Sequence, residues 1–236
     1  MTEPRIVLVT GGAHGIGAAI AARLAGDGWR VVIADRAEMA TPLPPGSRFH
    51  RADIGVEADV RALLAGIHAT ENRLDALICN AGINVRRPIA ALSLAAWNAV
   101  LATNLTSIFL LARAAEALLR AAKGSIVTIA STRAHMSERD TVAYAASKGG
   151  LVALTHALSI SLGPDVRVNC VSPGWIATKG PAPTTEEHAF HPAGRVGTAE
   201  DIAALVAFLI GPEAGFITGA EFTCDGGVSR KMIYPD

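Results

Sequence analysis

The chain has 236 residues, of which 50% are hydrophobic and 18% are charged, and its 21 basic residues balance its 21 acidic ones. This composition excludes a disordered chain, and the balanced charge lacks the clustered Lys and Arg typical of proteins that bind nucleic acid or an anionic membrane. No run of 18 apolar residues is uninterrupted, which argues against a membrane-spanning helix, and residues 1–5 show no pattern of a signal peptide. Cys79, Cys170 and Cys224 form no CxxC pair, which argues against a disulfide framework or a zinc site. We therefore expect a soluble, cytoplasmic protein with a small-molecule partner.

Short apolar runs alternate with segments of helical spacing along the chain. The runs predict strands at residues 6–10, 30–35, 47–51, 76–79, 125–130, 167–171 and 221–223. The spacing predicts helices at 15–26, 57–71, 94–122, 142–162 and 200–210, with Ser93 as an N-cap and Gly163-Pro164 as a stop. The pattern predicts an α/β fold, a single-domain, doubly wound, Rossmann-like parallel sheet of about seven strands with helices on both faces. No linker divides residues 1–236, and the Gly/Pro-rich loop at 173–198 predicts a short substrate lid at about 175–198.

A glycine cluster follows the first predicted strand and leads directly into a helix. Residues 10–17 read Thr-Gly-Gly-Ala-His-Gly-Ile-Gly. Glycines let the backbone approach a ligand closely, and a helix amino terminus offers unpaired N–H groups and the positive end of the helix dipole. The segment therefore predicts a cradle for a pyrophosphate, with a tight turn between strand and helix as the alternative.

An acidic residue, Asp35, ends the second predicted strand 18 positions after Gly17. A carboxylate there accepts hydrogen bonds from the adenosine ribose hydroxyls and repels a 2′-phosphate, which favours NAD over NADP as the cofactor. Arg36 keeps both cofactors open, because its guanidinium can stack on adenine or pair with a 2′-phosphate.

A Tyr-x-x-x-Lys pair, Tyr144 and Lys148, lies in the fourth predicted helix. Residues four apart share one helix face, so the Lys148 ammonium should lie near the Tyr144 phenol. A phenol ordinarily has a pKa of about 10, and a nearby cation lowers it towards the range useful for a base. Ser131 follows the fifth predicted strand, 13 residues before Tyr144, and completes a candidate catalytic group.

These motifs together resemble the short-chain dehydrogenase/reductase family along essentially the whole chain. The similarity rests on Thr10-Gly11-x-x-x-Gly15-x-Gly17, Asn80-Ala81-Gly82 and Pro173-Gly174, while Cys79 stands where the family often has Asn. The resemblance implies that Asp53 contacts adenine and Thr178 the nicotinamide side. The full set of cofactor-binding residues that it implies is Gly11, His14, Gly15, Ile16, Gly17, Asp35, Arg36, Asp53, Ile54, Asn80, Ala81, Gly82, Tyr144, Lys148, Pro173, Gly174, Ile176 and Thr178.

The resemblance also implies catalytic roles. Tyr144 is expected as the general acid/base, Ser131 as the group that polarises the substrate oxygen, and Lys148 as a ligand of the nicotinamide ribose. Asn104 is expected to support a water that relays protons. The activity implied is that of an NAD-dependent oxidoreductase interconverting a secondary alcohol and a ketone, in which nicotinamide carries the hydride.

Residues that flank the catalytic ones are candidates for reading the substrate. Arginines in these loops suggest a carboxylate, phosphate or polyhydroxylated substrate, with solvent-exposed arginines as the alternative. Residues 82–88 are also similar to the matching loop of sugar-acid members of the family, so a sugar, polyol or sugar acid is predicted. The candidates are Asn84, Arg86, Arg133, His135, Arg139 and Trp175.

Two other functions stay open at this point. One is an NADPH-dependent 3-oxoacyl-thioester (acyl carrier protein) reductase, against which Asp35 and the zero net charge speak. The other is a non-catalytic dinucleotide-sensing protein, which would be expected to have lost Tyr144 or Lys148.

Three further features bear on metals and assembly. His188 and His191 have no third ligand at site-like spacing and lie in a predicted loop, so no metal is predicted. The resemblance implies a homotetramer, or a homodimer, in which apolar surface of the long helices packs between subunits. It also places residues 231–236 near the substrate cleft or a subunit contact.

Overall fold

The structure of the protein is a computed structural model that describes residues 4–39 and 41–232. A parallel seven-stranded sheet has the order β3-β2-β1-β4-β5-β6-β7, so the order reverses between β1 and β4 and the predicted doubly wound fold is confirmed. The carboxyl-terminal segment 231–236 is expected near the substrate cleft or a subunit contact, but its residues 233–236 lie outside the described part of the chain. The strands are β1 (Ile6–Thr10), β2 (Arg30–Asp35), β3 (Arg48–Arg51), β4 (Ala76–Cys79), β5 (Ser125–Ile129), β6 (Arg167–Pro173) and β7 (Glu221–Cys224).

Helices cover both faces of the sheet, because successive strand side chains point to opposite sides. Val7 and Val9 of β1 pack in one core with α1 and α7, whereas Leu8 packs in a second core with α2, α4 and α5. All three side chains are buried. The helices are α1 (Gly15–Gly26), α2 (Glu57–Glu71), α3 (Leu94–Leu101), α4 (Ser107–Ala122), α5 (Val142–Leu162), α6 (Thr185–Phe190) and α7 (Ala199–Ile210).

Several predicted element boundaries hold. The Ser93 hydroxyl accepts a hydrogen bond from the Ala96 N–H at 3.1 Å, so Ser93 is the N-cap of α3. Helix α5 ends at Leu162, directly before Gly163-Pro164, as predicted.

Two predictions of local structure are wrong. The single helix expected at 94–122 is divided by a π-helical turn, Ala102–Thr106, which separates α3 from α4. The loop expected at 173–198 contains α6, which begins with a capping box between Thr184 and Glu187. The π turn carries Asn104, one of the predicted catalytic residues, and π turns occur frequently at functional sites.

One helical stretch, Leu94–Ala122, is long and apolar enough to cross a membrane by length and composition alone. It has 29 residues, and 39% of its most apolar window is buried inside the protein. Leu111, Ala115 and Leu119 of this stretch pack in the core that covers the sheet. Packing of this kind is also what the core helix of a globular protein shows.

Candidate active site

The predicted site residues converge at the carboxyl edge of the sheet, where ligands bind in open parallel sheets. Two adjoining cavities of about 570 Å³ and about 820 Å³ lie there. Both are lined by Ile16, Gly82 and Tyr144, so they form one continuous cleft. We call the smaller one the nucleotide cavity and the larger one the substrate cavity.

The glycine loop is folded tightly against the end of β4. Gly11 has a φ of +65°, and its N–H donates a hydrogen bond to the Ala34 carbonyl at 2.8 Å. The Asn80 side-chain amide donates to the carbonyls of Thr10 and Gly11, at 3.0 and 2.9 Å. A Cβ on Gly17 would lie 2.1 Å from the Gly11 carbonyl oxygen, so only glycine fits at this position. Asn80 therefore holds the loop in shape besides lining both cavities.

A fixed carboxylate stands at the end of β2. Asp35 accepts hydrogen bonds from the Ala13 and Ala37 N–H groups, one at each oxygen and both at 3.0 Å. Arg36 is 56% exposed in its side chain and points towards Asp53, with its Nη1 3.4 Å from a carboxylate oxygen. An exposed ion pair of this kind contributes only ~0–1 kcal/mol, but Asp53 is also held by the backbone, because its other oxygen accepts a hydrogen bond from the Gly55 N–H at 2.9 Å.

The nucleotide cavity collects most of the predicted cofactor-binding residues and fits the adenosine and pyrophosphate part of a dinucleotide. Its lining includes the glycine loop at the amino terminus of α1 and the Asp35 carboxylate, which are groups able to hold a pyrophosphate and a ribose. Pro173, Gly174 and Ile176 line the substrate cavity instead, and Gly17 lies buried behind the loop. The predicted residues that line the nucleotide cavity are Gly11, His14, Gly15, Ile16, Asp35, Arg36, Asp53, Ile54, Asn80, Ala81, Gly82, Tyr144 and Thr178.

Ser131 and Tyr144 meet in the substrate cavity. The Ser131 hydroxyl accepts a hydrogen bond from the Arg133 N–H at 3.2 Å, and its single hydrogen can be donated to the Tyr144 oxygen or, when a substrate is bound, to the substrate oxygen. Burial raises the pKa of the Tyr144 phenol, and a hydrogen bond from Ser131 and the charge of Arg133 oppose that rise. The expected lowering of this pKa by Lys148 is not found, because the opposing groups are Ser131 and Arg133 and desolvation of the phenolate outweighs both. Tyr144 is accordingly held in its protonated form.

Lys148 is 3% exposed and lies beside Tyr144 on α5. Its Nζ is 5.5 Å from the centre of the Tyr144 ring and donates a hydrogen bond to the Ile129 carbonyl at 2.7 Å. Burial lowers the pKa of Lys148 to about 8. The predicted proximity of the two side chains is present, with the ammonium held by the end of β5.

Asn104 lies in the π turn between α3 and α4 and is buried. Its side-chain oxygen accepts from the Ile83 N–H at 2.8 Å, and its amide donates to the Ile83 carbonyl at 2.9 Å and to the Ser147 hydroxyl at 3.0 Å. The side chain is thus committed to the protein, and it braces the loop after β4 against α5. Support of a water by Asn104 stays a prediction.

The arginines at the mouth of the substrate cavity are paired with a carboxylate that the sequence did not single out. Glu138 bridges Arg86, at 2.6 Å, and Arg133. Hydrogen bonding to Arg133, assisted by the charge of Arg86, holds the pKa of Glu138 below its usual range. The three charged groups sum to a single positive charge, so the mouth is much less cationic than the arginine count suggested.

The other candidates for reading the substrate divide into two groups. Asn84 and Trp175 line the substrate cavity. His135 and Arg139 do not line it, and His135 instead contacts Glu221 on β7 at 2.7 Å. The structure therefore does not support His135 and Arg139 as residues that line the substrate cavity.

Sequence reasoning missed Phe190 and Glu138 and considered His191 only as a metal ligand. All three line the substrate cavity. Their proximity to Tyr144 arises from α6 and the turn after β5, and no motif marks it. Among residues 4–39 and 41–232, no group of three or more His, Cys, Asp or Glu side chains could hold a metal ion. The His188 ring is used otherwise, since its Nδ1 accepts a hydrogen bond from the Val196 N–H at 3.1 Å.

Comparison with known proteins places this site in a family context. Residues 11–229 match the model of a family described as enoyl-(acyl carrier protein) reductase. An uncharacterized oxidoreductase from Thermotoga maritima is 41% identical, with 100% of both chains covered. A D-threitol dehydrogenase from Mycolicibacterium smegmatis is 36% identical over 97% of this chain and 94% of its own. The 3-oxoacyl-(acyl-carrier-protein) reductase FabG of Escherichia coli is 33% identical over 96% and 98%.

Solved structures agree in fold over nearly the whole chain. An apo SCOR enzyme from Clostridium thermocellum superimposes with a TM-score of 0.91 and 37% identity, covering 99% of this chain and 96% of its own. A 3-ketoacyl-(acyl-carrier-protein) reductase from Brucella melitensis, complexed with NADH, superimposes with a TM-score of 0.88 and 29% identity, covering 96% and 99%. The cleft described above therefore lies in a fold that these oxidoreductases share.

Proposed function

Because the chain belongs to the short-chain dehydrogenase/reductase family, whose members are oxidoreductases that bind a nicotinamide dinucleotide, we propose that it is an NAD-dependent enzyme interconverting a secondary alcohol and a ketone. The observation that carries the proposal is the meeting of Ser131, Tyr144 and Lys148 in a cavity continuous with the glycine cradle. A dinucleotide-sensing protein without chemistry has no need of that group.

The preference for NAD is argued from charge. A 2′-phosphate carries a charge of about −1.5 to −2 and would approach Asp35, which two backbone N–H groups hold in place. Arg36 and Lys179 are the Arg and Lys side chains that line the nucleotide cavity, and Asp53 lies within 3.4 Å of Arg36. Asp35 repels the phosphate at the end of β2 and Asp53 competes with it for Arg36, whereas ribose hydroxyls can donate to Asp35.

In the proposed reaction the bound nicotinamide supplies or accepts the hydride. Tyr144, protonated in the cleft, donates its phenolic proton to the ketone oxygen during reduction and takes it back during alcohol oxidation. Ser131 donates a hydrogen bond to the same oxygen, and its position is set by the bond from the Arg133 N–H. Lys148 lies beside Tyr144, donates one hydrogen bond to the Ile129 carbonyl and borders the substrate cavity, where its two other N–H donors are available to the nicotinamide ribose.

The proposed substrate is small and polar, namely a sugar, a polyol or a sugar acid. The cavity of about 820 Å³ lies within the range of small-molecule sites and combines polar side chains with the aromatic rings of Trp175 and Phe190. Pairing of Arg86 and Arg133 with Glu138 favours an uncharged polyol or sugar over a sugar acid. The D-threitol dehydrogenase among the relatives is consistent with this preference for an uncharged polyol.

A screen of alcohols and ketones tests the proposal. Sugars, polyols, sugar acids, cyclic diols and oxoesters would be supplied with NAD or NADP in either redox state, and the absorbance of the reduced nicotinamide followed. We expect turnover of a polyol or sugar with NAD, and its loss in Tyr144→Phe with nearly unchanged cofactor affinity. Cofactor binding without turnover of any substrate would instead support the sensing function.

A second candidate is favoured by the relatives that reduce acyl-carrier-protein substrates. An NADPH-dependent 3-oxoacyl-thioester reductase would use Arg36 for the 2′-phosphate and Arg86 or Arg133 for an acidic carrier protein. Faster turnover of an oxoacyl thioester with NADPH than of any polyol with NAD would establish this function in place of the first.

We propose in addition that the protein assembles as a homotetramer, or a homodimer, in the cytoplasm. Apolar side chains on the outer faces of α3, α4 and α5 remain exposed, among them Ile160 at 83%. Light scattering after gel filtration measures the mass, and a monomer at micromolar concentration would contradict the proposal.

A further inference from the structure

One histidine of the lid segment is turned inward. Helix α6 ends at Phe190, and the backbone of His191 is extended, with φ −88° and ψ 127°. His191 is only 4% exposed, although the adjacent Phe190 is 43% exposed. Its ring lies 6.1 Å from the Trp175 ring and meets the Phe190 ring edge to face at 5.9 Å, measured between centres. These rings form part of the wall of the substrate cavity.

The orientation of the His191 ring is set by its own helix. Its Nδ1 lies 2.8 Å from the Glu187 carbonyl oxygen. A carbonyl oxygen only accepts, so Nδ1 carries the hydrogen and, in the neutral imidazole, Nε2 is an acceptor with a free lone pair. The backbone of Gly226 allows the ring this position, because a Cβ there would lie 3.3 Å from His191 Cδ2.

Nε2 of His191 has no hydrogen-bond partner among residues 4–39 and 41–232. The nearby Asp225 carboxylate is committed to the Gly227 and Ser229 N–H groups, at 2.8 and 2.7 Å. Because the His191 ring borders the substrate cavity and the described residues supply no donor to Nε2, a ligand hydroxyl placed there gains a hydrogen bond that the protein does not provide.

Resting on the proposed function, we propose that His191 is a specificity residue that accepts a hydrogen bond from a second hydroxyl of the substrate. The reacting carbon is placed by Ser131 and Tyr144, which line the same cavity as His191, and the carbon skeleton packs against Trp175 and Phe190. The substrate class is therefore a diol or polyol, in which the second hydroxyl is a donor that a simple secondary alcohol lacks. A hydroxyl matches the Nε2 acceptor, whereas a ketone or ester oxygen in that place does not.

The test compares substrates that differ by one hydroxyl. The ratio of kcat/KM for cyclohexanediols to kcat/KM for cyclohexanol, and for threitol to kcat/KM for butan-2-ol, would be measured with NAD. We expect His191→Phe, which keeps an aromatic ring and removes Nε2, to lower these ratios by about tenfold or more. His191→Gln, which places an amide oxygen near the Nε2 position, should recover part of the loss. His68→Phe, on the exposed side of α2, is the matched control and should leave the ratios unchanged.

The possible outcomes separate the inference from the function on which it rests. An unchanged ratio in His191→Phe overturns the inference while leaving the oxidoreductase function intact. An equal loss with both substrates, accompanied by a lower Tm, also overturns it, because His191 would then be a packing residue. A native enzyme that oxidises cyclohexanol as well as the diols overturns it too. If no alcohol is turned over with NAD, the proposed function itself fails, and the inference fails with it.

Discussion

Replacing Lys148 with methionine should stabilise the ligand-free protein at neutral pH while abolishing its turnover. Lys148 is 3% exposed and forms no ion pair with any carboxylate in the described part of the chain. Its one hydrogen bond goes to the Ile129 carbonyl. Burial lowers its pKa from the ordinary 10.5 to about 8, which means that the fold disfavours the charged form.

The magnitude follows from that pKa difference. An unfolded chain binds the Lys148 proton with a pKa of 10.5, and the folded chain with a pKa of about 8. At pH 7 the charged side chain therefore costs about 3 kcal/mol of folding free energy. Methionine, of similar length, removes this cost but leaves the Ile129 carbonyl without that donor, a loss of ~1 kcal/mol. We expect a net stabilisation of roughly 1–2 kcal/mol.

The pH dependence provides a sharper signature than the stability itself. Between pH 8 and 10.5 the unfolded chain keeps a proton that the folded chain has released, so the free energy of unfolding rises with pH in this window. Lys148→Met lacks this contribution. The native protein should consequently gain roughly 1 kcal/mol relative to the variant between pH 7 and pH 9.

Urea unfolding followed by circular dichroism measures both quantities, with the subunit concentration held constant because assembly adds to apparent stability. Lys179→Met, which removes an exposed lysine, is the matched control and should show neither effect. The reasoning is refuted if the stability difference between native protein and Lys148→Met does not change from pH 7 to pH 9. It is equally refuted if the variant is much less stable at pH 7.

Three further predictions concern the cofactor site and the thiols. Asp35→Ala should weaken NAD binding and reduce the preference for NAD over NADP at least tenfold in fluorescence titrations, since the carboxylate that repels a 2′-phosphate is gone; an unchanged preference would remove Asp35 from the ribose site. Gly17→Ala should lower the Tm and abolish cofactor binding, because the added Cβ would lie 2.1 Å from the Gly11 carbonyl oxygen. Gly26→Ala is the control and should change neither quantity, because a Cβ at residue 26 would have no neighbouring atom within 4 Å. Burial raises the pKa of Cys79 to about 12, so iodoacetamide at pH 8 should label it only after unfolding, and rapid labelling of the native protein would contradict its burial.

Much of the fold was predictable because its signals are local. Strands buried on both faces read as continuous apolar runs, as in β1 and β4, and helix ends carry their own markers, such as Ser93. The π turn at Ala102–Thr106 was missed, because residues 94–122 keep one helical pattern throughout. The insertion is set by packing, including the bonds that Asn104 makes to Ile83 and Ser147.

The order of the elements, the glycine cradle and the spacing of Ser131, Tyr144 and Lys148 are readable from the amino-acid sequence, since each depends on residues close together in the chain. The effects of charge and burial on these residues become visible only once the chain is folded. Desolvation raises the pKa of Tyr144, and Glu138 pairs with two of the arginines beside the cleft. The inward turn of His191 depends likewise on Gly226, 35 positions further along the chain. Charge pairing and desolvation depend on distances in space, and the crossovers of a doubly wound sheet bring together residues that no local pattern connects.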